Sequence, residues 1–269
     1  MTHTFRRALA ALLVGLALGP SPVLAEPGPV ERYFLLLFDA PLGGMRQLDE
    51  VSATVGAWIA RELHPADAAA VVSYYGQELQ IAQDFTRDHA ALREAIDAAV
   101  RGQSRAGVPV EPGCPSLLAR LETADGASLP RAESFYAALQ VLAETVDSVP
   151  GPKGLLVFSK GFGRAWGGDG APVDLSAELL EKYLPALSLY EPTREALLSR
   201  QIRLYPVDLA TDHRETFPLA GVMIRLAGDT GGRYVYPVTE LPRVLEQIAR
   251  QAAPADDLRT GLSAGVTAE

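Results

Sequence analysis

The sequence predicts a three-layer α/β/α sandwich around a mostly parallel central sheet with one antiparallel hairpin strand. Three observations carry this. Tyr33–Phe38 reads YFLLLF, an unbroken apolar run ending at Asp39, the pattern of a strand covered on both faces. Comparable runs return at Leu155–Phe158 and Ile202–Val207, with helical apolar spacing between them. Ala68–Tyr75 and Glu78–Phe85 are separated only by Gly76-Gln77, which predicts a hairpin.

The elements follow in order. Met45–Leu63 places Leu48, Val51, Val55, Trp58, Ile59 and Leu63 at helical spacing. In the hairpin, alternation buries one of Tyr74 and Tyr75 and exposes the other. Thr86 or Asp88 caps a helix that runs to Arg101. Residues 102–130 are rich in Gly, Pro and Ser and predict a long loop. Arg131–Val146 is helical and Pro150-Gly151-Pro152 stops it before the fourth strand. Residues 161–192 are irregular, with helix expected over Leu175–Leu189, and a short helix follows over Thr193–Arg200. After the fifth strand, Phe217–Gly228 is helical and Gly231-Gly232 turns into a sixth short strand, Arg233–Tyr236. Thr239 is expected to cap a last helix through Ala253, and residues 254–269 form a flexible tail.

Composition excludes several classes. The chain has 269 residues, 48% of them hydrophobic and 21% charged, which is globular rather than disordered or fibrous. Its net charge of −9 repels phosphate backbones, so nucleic-acid binding is not expected. Residues 1–25 read as a signal peptide. Arg6 and Arg7 precede the apolar run Ala8–Gly19, and Val23-Leu24-Ala25 offers a cleavage site. That run falls short of the ~20 residues that span a bilayer. No membrane span is expected once the leader is removed, and the location is periplasmic or secreted. The domain itself is expected over residues 26–253. Cys114 is the sole cysteine and sits among Pro109, Pro112, Gly113 and Pro115, so it reads as a semi-buried loop thiol.

Known catalytic patterns are missing. No G-x-S-x-G elbow, G-x-G-x-x-G turn or Walker A sequence occurs. His64, His89 and His213 lack metal-ligand spacing and read as surface residues. Asp39 after a buried strand suggests a phosphotransferase nucleophile, but Pro41 stands where a second carboxylate is needed. Asp39, Lys160 and Asp208 fall at predicted strand ends, where ligands of such sheets bind. Trp166 and Arg164 lie in the glycine-rich loop after strand four. Either that loop binds a partner, or Trp166 plugs it onto the domain.

The order of elements resembles a von Willebrand factor A domain of the exported bacterial branch. Strand one ends in Asp39. VVSYYGQELQIAQDFTRDHAAL (71–92) is similar to the family's hairpin and second helix. Ser134–Leu139 followed by Pro150-Gly151-Pro152-Lys153 is similar to its entry to strand four, and LAGDTGGRY (226–234) to its late turn. The likeness covers about residues 31–250. It implies a metal-ion-dependent adhesion site, with a D-x-S-x-S loop after strand one, a Thr or Ser from a second loop and an Asp after strand four. Hydroxyl and carboxylate oxygens there hold Mg2+ octahedrally. This chain keeps Asp39, but Pro41 and Gly43 replace both serines. Ser159-Lys160-Gly161 stands where the family has Ser-Asp-Gly, and Ser128 or Ser134 matches the second loop. The expectation is a degenerate site without metal. Either Lys160 pairs with Asp39 in the metal's place or it points to solvent.

Together these readings predict an exported, non-catalytic, metal-independent module that binds an unknown protein partner through its strand-end face. The candidate binding residues are Asp39, Pro41, Gly43, Ser128, Ser134, Ser159, Lys160, Arg164, Trp166 and Asp208. Two alternatives remain at this stage. One is a weak Mg2+-dependent adhesion site built on Asp39. The other is a hydrolase or phosphatase centred on Asp39. A final expectation is that the sheet lacks a further C-terminal edge strand and leaves an edge open to a partner.

Overall fold

The computed structural model describes residues 31–39, 45–75, 78–101, 108–118, 131–159, 189–209 and 218–250. Among them a five-stranded sheet runs in the order β3-β2-β1-β4-β5. The strands are β1 (Tyr33–Asp39), β2 (Ala68–Tyr75), β3 (Glu78–Thr86), β4 (Lys153–Ser159) and β5 (Ile202–Asp208). β1 pairs in parallel with β2 and β4, and β4 in parallel with β5. β3 turns back antiparallel on β2, as the short hairpin connection requires.

Among the described residues six helices cover the two faces. They are α1 (Met45–Arg61), α2 (His89–Val100), α3 (Phe135–Thr145), α4 (Tyr190–Ser199), α5 (Pro218–Asp229) and α6 (Leu241–Arg250). One core joins Leu35, Leu37, Val157 and Leu204 to residues of α3, α4 and α5. The other joins Phe34, Leu36, Phe38 and Phe158 to residues of α1, α2 and α6. Alternate residues of one strand thus feed opposite cores, which is why β1 is apolar throughout. Phe38 stacks on Phe158 at 4.6 Å between ring centroids, just below the strand ends.

Within the described residues the sequence-based boundaries hold closely, with exceptions. Most of the expected Leu175–Leu189 helix, the last helix's end at Ala253 and the tail 254–269 lie outside those residues. The short helix starts at Tyr190 rather than Thr193. Asp88, not Thr86, caps α2, accepting from the backbone N–H groups of Ala90 and Ala91. Ser134 caps α3, so the helix starts later than Arg131. Thr239 is not a cap. It lies inside a 3-10 turn, Val238–Glu240, that leads into α6. The sixth strand is reduced to a single parallel bridge between Val207 and Val235.

That bridge belongs to a larger seal on β5. Val235 donates to Pro206 O at 2.8 Å and accepts from Asp208 N at 3.0 Å. Thr230 Oγ1 accepts from Leu204 N at 3.1 Å. Gly231 takes a left-handed φ of 71°, and Gly232 passes so close to the strand that a Cβ there would lie 2.0 Å from Leu204 O. Residues 230–235 therefore cover the backbone of Leu204–Asp208. The expected open edge is corrected at β5, because side-chain and loop hydrogen bonds occupy the groups a partner strand would need.

The opposite end of the sheet is locked by charge. Arg32 donates to Asp67 from Nε at 3.0 Å and from Nη2 at 2.5 Å. Its Nη1 donates to the Ile248 and Ala249 carbonyls at 3.0 and 2.9 Å. One guanidinium thus joins β1, the β2 entry and the C-terminal turn of α6, where carbonyls lack helical partners. No helix among the described residues is long and apolar enough to cross a membrane.

Candidate functional site

The parallel register aligns four polar side chains at the strand ends. Tyr74 pairs with Asp39, and Ser159 with Asp208, while Phe38 and Phe158 pair one step below. Tyr74, Asp39, Ser159 and Asp208 thus form a row across β2, β1, β4 and β5. All four are 0% exposed. Leu37, Val157 and Tyr74 belong to the core under α3, α4 and α5, so by strand alternation the row faces that helical layer.

The row is hydrogen-bonded. Ser159 Oγ donates to Asp39 Oδ2 at 2.7 Å. Tyr234 donates its hydroxyl to Asp208 Oδ2 at 2.5 Å, an anchor supplied by the turn that seals β5. Tyr74 donates to Ala132 O at 2.9 Å and ties the entry of α3 to the same end of the sheet. Burial raises the Tyr74 hydroxyl pKa well above its ordinary value, with the Asp39 charge adding to it. Burial also raises that of Tyr234, with the hydrogen bond and charge of Asp208 contributing next. Both phenols are therefore held as donors.

The structure places only some of the expected site residues. Asp39, Ser159 and Asp208 share one row, as their strand-end positions predict. Ser134 stands apart in role. Its Oγ accepts from Ala137 N at 3.1 Å, which is local work at the start of α3. Pro41, Gly43, Ser128, Lys160, Arg164 and Trp166 lie outside the described residues, as does the expected Lys160–Asp39 pair. Among the described residues, no group of three or more His, Cys, Asp or Glu side chains is gathered to hold a metal ion.

Sequence reasoning missed two partners. Tyr234 was visible only as the last letter of the late turn. Asp84 stood in the sequence as one polar residue among several in the second hairpin strand, and it is 0% exposed. It accepts from Ser116 Oγ at 2.5 Å and from Leu117 N at 2.8 Å, pinning the 108–118 segment to β3. Cys114 in that segment is a free, half-buried thiol, as expected. Burial pushes its pKa up, with Glu111 next, while Arg87 opposes. That is the reverse of an activated thiol.

No protein-family profile and no curated protein sequence matches the chain. Among solved structures the chain is similar to an aerotolerance-related membrane protein from Bacteroides fragilis NCTC 9343. Identity is 12%, the TM-score is 0.44, and the match covers 82% of this chain and 98% of that one. It is also similar to the vWF domain of the type V pili tip protein Mfa5 from Porphyromonas gingivalis, at 12% identity and a TM-score of 0.46, over 89% of this chain and 98% of that one. A third similarity is to the human COPII-coat protein Sec24c, at 13% identity and a TM-score of 0.47, over 83% of this chain and 32% of that one. At such identities the likeness concerns fold alone.

Proposed function

We propose that this chain is an exported, non-catalytic protein-binding module that engages its partner through the strand-end face without a metal ion. The observation that supports this best is the Asp39–Ser159 hydrogen bond at 2.7 Å between two fully buried residues. A fully buried carboxylate that accepts a hydrogen bond inside the fold supports reading Asp39 as a structural acceptor rather than as a nucleophile or a metal ligand.

The donor set argues in the same direction. An octahedral Mg2+ site needs several oxygens at fixed distances. Proline at 41 and glycine at 43 bring no side-chain oxygen, and position 160 brings a cation. The residues present do not fit the ion that the family resemblance implies. What the row supplies is a hydrogen-bonded set of buried strand ends, and residues carried at the ends of a rigid scaffold are where binding concentrates.

Thermal unfolding in EDTA, then in excess Mg2+, Mn2+ or Ca2+, tests the metal-free part. A site at 100 times its dissociation constant stabilises by ~2.7 kcal/mol. The expected result is no shift. A shift abolished by Asp39→Ala overturns the reading in favour of metal-dependent adhesion. Turnover of ester or phosphate substrates, lost in the same variant, overturns its non-catalytic part.

A further inference from the structure

The connection between α1 and β2 has no role in the strand-end site. His64 lies in it with an exposed side chain. Its Nδ1 accepts a hydrogen bond from the Ala66 backbone N–H at 3.1 Å. A ring nitrogen that accepts carries no proton, so this turn is built around the neutral imidazole. The backbone of His64 closes the same turn. Its N–H donates to Asp67 Oδ2 at 3.1 Å, and its carbonyl accepts from Asp67 N at 2.8 Å.

Asp67 carries the turn into the core. It is 1% exposed, and the oxygen that meets the His64 N–H also accepts from Arg32 Nη2 at 2.5 Å. Arg32 in turn holds the Ile248 and Ala249 carbonyls at the end of α6. Hydrogen bonds thus run without a break from the Ala66 N–H to the last turn of α6. The other charged groups of this corner are Arg61 and Glu62 at the end of α1 and Glu246 of α6, which border one groove. Glu246 pairs with Arg250, and Arg203 borders the cavity beside Arg32 and Ile248. Among these described groups Asp67 is the buried carboxylate. A positive charge on His64 therefore attracts Asp67 and repels Arg32.

We propose that His64 is an acid-sensitive catch for α6: protonation of its ring opens the 64–67 turn, loosens the Asp67–Arg32 pair and releases the last turn of the helix. Histidine is the side chain whose charge changes between about pH 5 and 8. The closed turn holds no proton on Nδ1, and the opened turn can take one. Opening therefore takes up a proton, and falling pH favours it. The geometry also says why the signal travels. Asp67 is shared by the turn and by Arg32, so it cannot follow one without leaving the other.

Amide hydrogen exchange of the purified chain at about pH 7.5 and about pH 5.5, each corrected for its intrinsic rate, reads the catch. The expected result is that acid lowers the protection of the Ala66, Ile248 and Ala249 amides by roughly fivefold relative to the β1 amides, about the worth of one hydrogen bond. His64→Asn keeps an oxygen that reaches the N–H two residues on and does not titrate. In that variant the α6 amides should be protected alike at both pH values. His64→Ala has no acceptor, so its α6 amides should be loosened at both. Melting curves of each variant confirm that it is folded. Unchanged relative protection of α6 on acidification of the unsubstituted chain overturns the proposal. So does a response that persists in His64→Asn, or one confined to Ala66, since the catch then ends at the turn.

Discussion

Ser159 donates its hydroxyl proton to Asp39 across the β1–β4 boundary, at 2.7 Å and out of reach of solvent. The bond ties together two strands that end at the proposed binding face. Hydrogen bonds to buried charged groups are worth more than neutral ones, about 1.5–3 kcal/mol. Ser159→Ala is therefore expected to destabilise the fold by about 2 kcal/mol in denaturant unfolding. Asp39→Ala and the double variant complete the cycle, with a coupling of about 1 kcal/mol or more between the positions. Strict additivity refutes the pair as a stabilising unit.

Arg32 and Asp67 make the corresponding prediction at the other end of the sheet. Asp67 is 1% exposed, and Arg32 also serves the last carbonyls of α6. Removing the cation strands a buried carboxylate, at a cost of about 3–5 kcal/mol. Arg32→Ala is expected to lose that much and to speed amide exchange in α6. Arg32→Lys is expected to lose most of it, because an ammonium cannot reach Asp67 and two carbonyls in one plane. Retained stability in Arg32→Ala contradicts this account.

Alkaline pH provides a test of the buried phenols. Tyr74 and Tyr234 both ionise at higher pH in the folded state than the unfolded value of about 10. Above that value the folded protein binds more protons than the unfolded one, so stability falls as pH rises. Their contribution is fully present below about pH 10 and is lost as pH climbs towards the raised folded values. Tyr234→Phe is expected to flatten the decline of melting temperature in that range. An unchanged slope removes Tyr234 from the explanation.

Much of this fold was legible because its signals are local. A doubly covered strand must be apolar on both faces, and Tyr33–Phe38 announces that within a few residues. The caps are less legible, because Thr86 and Asp88 carry equally good oxygens and only the backbone direction chooses Asp88. The sixth strand failed for a non-local reason. The Thr230-Gly231-Gly232 turn spends the reach of the chain on closing the β5 edge, and only Val235 remains to pair. The site was half legible. Asp39, Ser159 and Asp208 lie at strand ends in the sequence, but Tyr234 joins them only through a contact with β5 that no periodicity encodes.

Asp84 carries the last prediction, since it decides whether a long irregular segment stays in place. Its carboxylate accepts from Phe85 N and Leu117 N at 2.8 Å, from Ser116 Oγ at 2.5 Å and from Leu118 N at 3.4 Å. Four donors converging on two oxygens need an acceptor-only group, which an ionised carboxylate is and an amide is not. Asp84→Asn keeps the shape but turns one acceptor into a donor facing donors. The expected loss is about 3 kcal/mol, at the upper end for bonds to a charged group. Ser116→Ala removes one donor and leaves the backbone bonds, so about 1 kcal/mol is expected. Hydrogen exchange separates local from global effects. The Leu117 and Leu118 amides should exchange faster in Asp84→Asn than the β1 amides do. Equal acceleration everywhere means that Asp84 supports the whole fold rather than latching the 108–118 segment, and neutral behaviour in both variants removes the latch altogether.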